Sequence, residues 1–301
     1  MPVFRYYNIQ LLPCNTNKID EVGLHGYSNL MKNLKQNVAE AIRNHQLKVF
    51  SFQLRNDMLF APSWIFIEET FSYGEFIKFD SAGEVKDLYT DEIEFKGGPN
   101  STSKKYSFRF VFDHARHIMA VQESDNSGRL PSENVFIDSL KSFFKPIIIS
   151  DFYDYELKII ELSSGDALEA VFKNAVGYNR IEVEVTFANS DKFVDEVVSE
   201  LKGKNVHSLV HIEKSASDGK MGLTNYSTAF LNTAKTYGNA TISYVIKTGN
   251  NFRRKVFHMK DHPVRTNVVL GAKDSEDRFR MEILNSISTA EANSRRKISS
   301  N

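Results

Sequence analysis

Glu156-Leu157-Lys158 has the E-x-K pattern of metal-dependent nuclease cores. In such cores a strand presents a carboxylate to Mg²⁺ and a lysine to the attacking water. The pattern needs a second carboxylate from another strand. Asp151 and Asp154 lie only five and two residues upstream of Glu156, and Asp138 falls on a predicted helix. His114 and His117 bracket a turn, with Asp113 the one further ligand type beside them, and read as solvated turn histidines rather than as a metal pair. His207 and His211 stand four apart on a predicted strand, which puts both on one face, about two pleats apart; that face reads as a polar sheet surface. Arg109 and His114 have the spacing of a ribonuclease dyad that depends on helical geometry, but Phe108, Phe110 and Phe112 dictate a strand, so the dyad is rejected. Cys14, the single cysteine, excludes an intrachain disulfide and, with no base nominated beside it, reads as a small apolar filler. No P-loop, G-x-G-x-x-G or G-x-S-x-G stands in the chain.

The other chemistry is carried by charge. The 301 residues hold 38 basic and 38 acidic side chains, a formal net charge of zero, which excludes a globally basic binder. The zero is unevenly spread. From Trp64 to Phe95 nine acidic residues face Lys78 and Lys86, a net of −7. From Lys247 to Lys273 seven basic residues face Asp261 alone, a net of +6. Within the second segment, Asn250-Asn251-Phe252-Arg253-Arg254-Lys255 reads as a loop tip between strands. Together with Lys260 and Arg265 it offers cations for phosphates and an aromatic ring for an exposed base. The acidic segment offers a contact for this same hairpin, for a second copy of the chain or for another protein.

These groups must be positioned by about two domains' length of chain, 41% hydrophobic and 12% aromatic, enough for a sizeable core. The pattern predicts a strand over Phe4–Leu11 and a helix capped by Ser28, with apolar face Leu30, Met31, Leu34, Val38, Ala41 and Ile42. A strand over Leu47–Leu54 follows, then antiparallel hairpins with turns at Gly74 and Ser81–Gly83, and a flexible loop over Lys96–Lys105. The strand pair Tyr106–Phe112 and His117–Val121 leads to a helix opened by Pro131 and stopped by Pro146, with Pro146–Ile149 a short buried strand. Strands and helices then alternate: Tyr155–Ile160, Asp166–Lys173, Arg180–Phe187, Asp191–Leu201, Val206–Ile212, Thr224–Tyr237 and Thr241–Ile246, with Gly203 and Gly238 as helix caps. Strands Lys255–Met259 and Asn267–Leu270 and a helix over Asp274–Ala292 close the chain. The expectation is an α+β protein of two modules. Residues 1–147 form a strand-rich antiparallel module, 148–293 an alternating α/β-like module with the basic hairpin, and 294–301 a disordered tail. No signal peptide or spanning segment is read, so the expected location is cytoplasmic.

Tyr106-Ser-Phe-Arg-Phe-Val-Phe-Asp113, then His117-Ile-Met-Ala-Val121, then Pro131-Ser-Glu-Asn-Val-Phe-Ile-Asp-Ser-Leu140 resembles a family of bacterial proteins with a similar aromatic strand, short turn, second strand and helix, often in anti-phage gene neighbourhoods. In two-module plan and size the chain is also similar to the RexA-type phage-exclusion proteins, which bind DNA without sequence preference. The resemblance implies a DNA-binding role in phage exclusion, which would fall on the hairpin at 250–265. Its motif is a packing pattern and transfers no active-site residues. Three functions follow as expectations. The first is non-specific nucleic-acid binding through Arg253, Arg254, Lys255, Lys260 and Arg265, with no cofactor. The second is a Mg²⁺-dependent nuclease using Glu156 and Lys158. The third is a defence-system interaction protein or homo-oligomer that pairs through residues 64–95.

Overall fold

Aromatic residues at every second position cannot all face water, and Phe108, Phe110 and Phe112 turn to one face of a sheet and bury there. The computed structural model describes residues 2–14, 22–80, 84–86, 89–90, 92–98, 100–125, 128–186, 204, 206, 208–216, 221–269 and 275–298. The expected turn at 81–83, the helix at 191–201, Gly203 and His207 lie outside these residues. The fold is α+β, in two compact units that each draw on separated stretches of chain. One comprises Met1–Phe4, Val22–Tyr153 and Asn267–Leu284; the other comprises Arg5–Glu21, Asp154–Thr266 and Asn285–Asn301. The chain passes from the first to the second within its opening strand, β1 (Val3–Pro13).

The first unit contains α1 (Gly23–Arg43), the one-turn α2 (Leu47–Phe50), β2 (Phe52–Gln53), β3 (Met58–Ile67) and β4 (Phe71–Asp80). A separate small ribbon of β5 (Glu84–Lys86) and β6 (Ile93–Lys96) follows, then β7 (Lys105–Asp113), β8 (Ile118–Gln122) and α3 (Glu133–Asp151). Its main sheet runs β8-β7-β4-β3-β2, with every pairing antiparallel. The core is a stack of rings. Phe60 lies 5.3 Å from Phe76, which lies 4.8 Å from Phe110, and Phe136 of α3 meets Phe76 edge-on at 5.7 Å. Phe143, two turns further along α3, stacks on Phe50 of α2 at 5.6 Å.

This packing corrects four local expectations. Ser28 does not cap α1 but lies buried inside it, because Tyr27 packs on Phe112 at 6.0 Å and carries the helix upstream to Gly23. Leu47–Phe50 is a helical turn rather than strand, held by the Phe50–Phe143 stack. Pro146 does not end α3, and Pro146–Ile149 is helix. The proline removes one backbone bond, while Phe143, Phe144 and Ile147 keep the helix face buried across it. Gly74 is not at a turn but in mid-β4, where a β-bulge at Pro62/Trp64 brings the partner strand close. A Cβ there would lie 2.2 Å from the Trp64 carbonyl oxygen and 2.8 Å from the Phe110 ring.

The second unit pairs β1 with β9 (Tyr155–Glu161), from Tyr7 opposite Glu161 to Pro13 opposite Tyr155. It continues with α4 (Gly165–Asn174), β10 (Ala175–Thr186), β11 (Ser208–Lys214), α5 (Asn225–Tyr237), β12 (Gly238–Thr248), β13 (Asn251–His258), a 3₁₀ turn at Met259–Asp261 and β14 (Arg265–Asn267). The helix α6 (Glu276–Arg295) lies in the first unit through Leu284 and in the second beyond it. The alternation of helices and strands is closed by antiparallel pairings in a sheet ordered β11-β10-β12-β13. Leu168 and Val171 of α4 and Phe230, Leu231 and Ala234 of α5 cover one face, over Ile181, Val183, Val185 and Ile242. Gly238 ends α5 and opens β12 with an extended backbone; a Cβ there would sit 1.9 Å from the Glu184 carbonyl oxygen. The chain end is not a frayed tail over Ser294–Ile298: Ser294 is buried, Ile298 joins the core, and Ile298 N donates to Asn232 Oδ1 at 3.0 Å. Among the described residues no helix is long and apolar enough to cross a membrane.

Gly74→Ala and Gly238→Ala each force a methyl group against backbone and are expected to cost about 1–3 kcal/mol in denaturant unfolding. Gly222→Ala, where a Cβ meets nothing within 4 Å, is the control expected to leave the midpoint in place.

Candidate nucleic-acid interface

The basic cluster lies along a strand, not at a loop tip. The tip between β12 and β13 is the pair Gly249-Asn250, and Gly249 adopts φ +62°, the left-handed region that glycine enters without strain. Cations then follow within β13, which forms the outer edge of its sheet. Register fixes where each side chain goes. Phe257 pairs with Ile242 and enters the core, so Arg253 and Lys255 share its face, beyond the reach of the covering helices and exposed. Phe252, Arg254, Val256 and His258 take the opposite, open face. There Arg254 Nε donates to Ser243 Oγ at 2.8 Å, which fixes the guanidinium over the sheet, and Phe252 is 67% exposed. Lys247, paired opposite Phe252, adds a cation on the same face. Among the described residues none of Lys247, Arg253, Arg254, Lys255 and Lys260 forms an ion pair.

The five cations expected to act together do not form one cluster. Arg253, Arg254 and Lys255 lie in a row. Lys260 follows on the 3₁₀ turn, and His262 just beyond it stacks on Phe257 at 4.8 Å. Arg265, on β14, is exposed, and its charge acts on the buried Glu161, whose carboxylate pairs with Arg5 at 2.5 and 2.7 Å. Burial pushes the Glu161 carboxyl up, and Arg5 and Arg265 oppose that shift only in part.

The other candidates resolve differently. Glu156 and Lys158 sit on one face of β9 and pair with each other at 2.6 Å. Among the described residues no group of three His, Cys, Asp or Glu side chains converges. His114 and His117 are buried, not solvated. His114 Nε2 meets Ser72 Oγ at 2.5 Å, and burial pushes the imidazole down to about 4 against the pull of Asp113. His117 stacks on Tyr27 at 5.4 Å. Asp113 turns to the Ala115 and Arg116 amides and to the Arg116 guanidinium, so the three groups do not converge on a shared ion. His211 lies on the helix side of its sheet rather than on a polar face. Its Nε2 pairs with Glu213 Oε1 at 2.9 Å, and Glu213 accepts from Thr224 Oγ1 at 2.5 Å beside the start of α5. Burial alone would raise the Glu213 carboxyl, but bonds from Thr224, Ser227 and His211 bring it below its ordinary value. Cys14 is free and exposed, not a core filler. Two cations on and just after β7 are engaged within the chain: Arg109 pairs with Glu276 at 3.0 Å and Arg116 with Asp113 at 2.9 Å.

One perturbed group was not legible in the sequence. Lys235 reads as an ordinary charged position on α5, yet it is fully buried, and its Nζ donates to the Arg296 carbonyl just past the end of α6. A cation there satisfies a carbonyl at the negative end of a helix. Burial pushes Lys235 down to about 8, helped by the like charge of Arg296 and opposed by Glu169. Between about 8 and the free-lysine value of 10.5 the unfolded chain binds a proton that the folded chain lacks, so folding gains as pH rises through this window. Thermal midpoints are expected to rise from pH 7.5 to 9.5, and Lys235→Met to flatten that rise; an unchanged slope in the variant would contradict the assignment.

No curated protein matches the chain. A family profile described as a domain of unknown function, DUF4747, matches residues 5–288, and the chain belongs to that family.

Proposed function

We propose that this protein binds nucleic acid without reading its sequence, holding the phosphate backbone along the edge strand β13. One observation carries the reading: Phe252, Arg253, Arg254 and Lys255 are consecutive and exposed, three of them cationic, and none is ion-paired among the described residues. Arg253 and Lys255 leave the strand about 7 Å apart, a spacing similar to that of successive phosphates along one nucleic-acid strand. Arg254 is held from the other face by Ser243, and Phe252 beside it offers a ring to an unstacked base. Phosphate contacts of this kind fix position and carry no sequence information. The zero net charge of the chain is no obstacle, because binding of this kind is set within a Debye length of about 8 Å at physiological salt.

The resemblance to phage-exclusion proteins supports placing this activity in bacterial or phage defence, in the cytoplasm. The ligand surface needs no cofactor. The test is anisotropy of a labelled 20-nucleotide single strand across a salt series. Four cations, Arg253, Arg254, Lys255 and Lys260, imply a log–log salt slope near about −3 for a single strand. Arg253→Glu/Arg254→Glu is expected to weaken binding about tenfold or more at 50 mM salt and to halve the slope. Lys158→Ala is expected to do neither. Retention by the double variant equal to that of the native chain would end the proposal.

A further inference from the structure

The first unit carries a second exposed surface, of opposite character. On β3 and β4, Trp64, Phe66, Phe71 and Tyr73 lie side by side, with ring centroids 5.4–6.1 Å apart between neighbours. Trp64 is 38% and Phe66 52% exposed. Two of these rings already hold cations of the chain itself. The Arg280 guanidinium lies 4.0 Å from the Tyr73 centroid, and the Lys35 ammonium 5.7 Å from that of Phe66. Trp64, the indole and so the strongest cation acceptor of the set, holds none among the described residues.

The residue directly across from Trp64 is Glu75, and cross-strand partners share a face. The nearest basic residue in register with Glu75 is Arg109 on β7, but Arg109 is engaged by both carboxylate oxygens of Glu276, at 3.0 Å each, and lies over Phe279. Glu75 is therefore left with no ion pair among the described residues. Glu68 and Glu69 stand exposed at the end of the same hairpin. An open indole face beside an unpaired carboxylate is one half of a cation site, and the acid-rich surround repels a phosphate backbone.

We propose that Trp64 and Glu75 dock a basic protein segment, with an arginine or lysine of the partner lying over the indole and pairing with the carboxylate, as Arg280 already lies over Tyr73. The proposal is independent of the nucleic-acid site on β13.

Trp64 is the sole tryptophan of the chain, so its emission reports on this surface alone. Hexa-arginine titrated into the full chain is expected to shift or quench that emission saturably, and Glu75→Gln to weaken the peptide by about twofold to fivefold. Phe66→Ala is expected to alter the amplitude. Arg253→Glu/Arg254→Glu, which weakens nucleic-acid binding under the first proposal, is expected to leave the peptide titration unchanged. An emission that ignores hexa-arginine, or that responds equally in Glu75→Gln, overturns the proposal. So does a response to a 20-nucleotide single strand in place of the peptide. Emission that changes with protein concentration alone, alongside a dimer by light scattering, replaces the basic partner with a second copy and overturns it as well.

Discussion

A side chain on a β-strand can reach one face of its sheet and not the other, and that parity governs this protein. In each unit, helices cover a face built from alternate apolar residues: Phe60, Phe76 and Phe110 beneath Phe136 of α3, and Ile181, Val183 and Ile242 beneath α4 and α5. Once Phe257 is committed to the core, the fates of Arg253, Arg254 and Lys255 are decided with it. A one-residue slip would turn Phe257 to water and bury His258, so the core holds the register and the register arranges the cations. The same reasoning assigns Trp64, Tyr73 and Glu75 to a common face.

Several polar groups that enter the interior are matched across elements. Arg5 meets Glu161 through two nitrogens, Lys235 ends on a helix-terminal carbonyl, and Thr186 Oγ1 donates to the Tyr237 carbonyl at 2.8 Å. Such pairs add little net stability against an apolar equivalent, because desolvation offsets most of the attraction, but breaking one partner is costly. They act as alignment constraints. Arg5 on β1 and Glu161 on β9 meet in only one register of those strands, and Lys235 ties α5 to the end of α6.

Much of this was legible in the sequence because period and composition agree. The aromatic strand at 106–112, the helices around Asp166–Lys173 and Thr224–Tyr237, and the β12–β13 hairpin all follow from local pattern. What escaped depends on distant partners. Pro146 reads as a helix stop until Phe143, Phe144 and Ile147 on either side of it are seen to be buried, and Gly74 reads as a turn until the Trp64 carbonyl is placed against it. Of the five cations expected to act together, linear order places Arg253, Arg254 and Lys255 in one row, but nothing along the chain shows that the charge of Arg265 acts on Glu161. Nor does sequence show that Glu75 loses Arg109 to Glu276, a residue 167 positions further along the chain than Arg109.

The position of β13 has one more consequence. The last strand of a sheet presents unpaired amide and carbonyl groups, and a flat apolar strand there would recruit another chain into a growing ribbon. Three consecutive cations on that rim oppose addition of a like strand through mutual repulsion. Whatever else they contact, these charges thus also keep the sheet finite, and a variant that neutralised them would gain a tendency to aggregate.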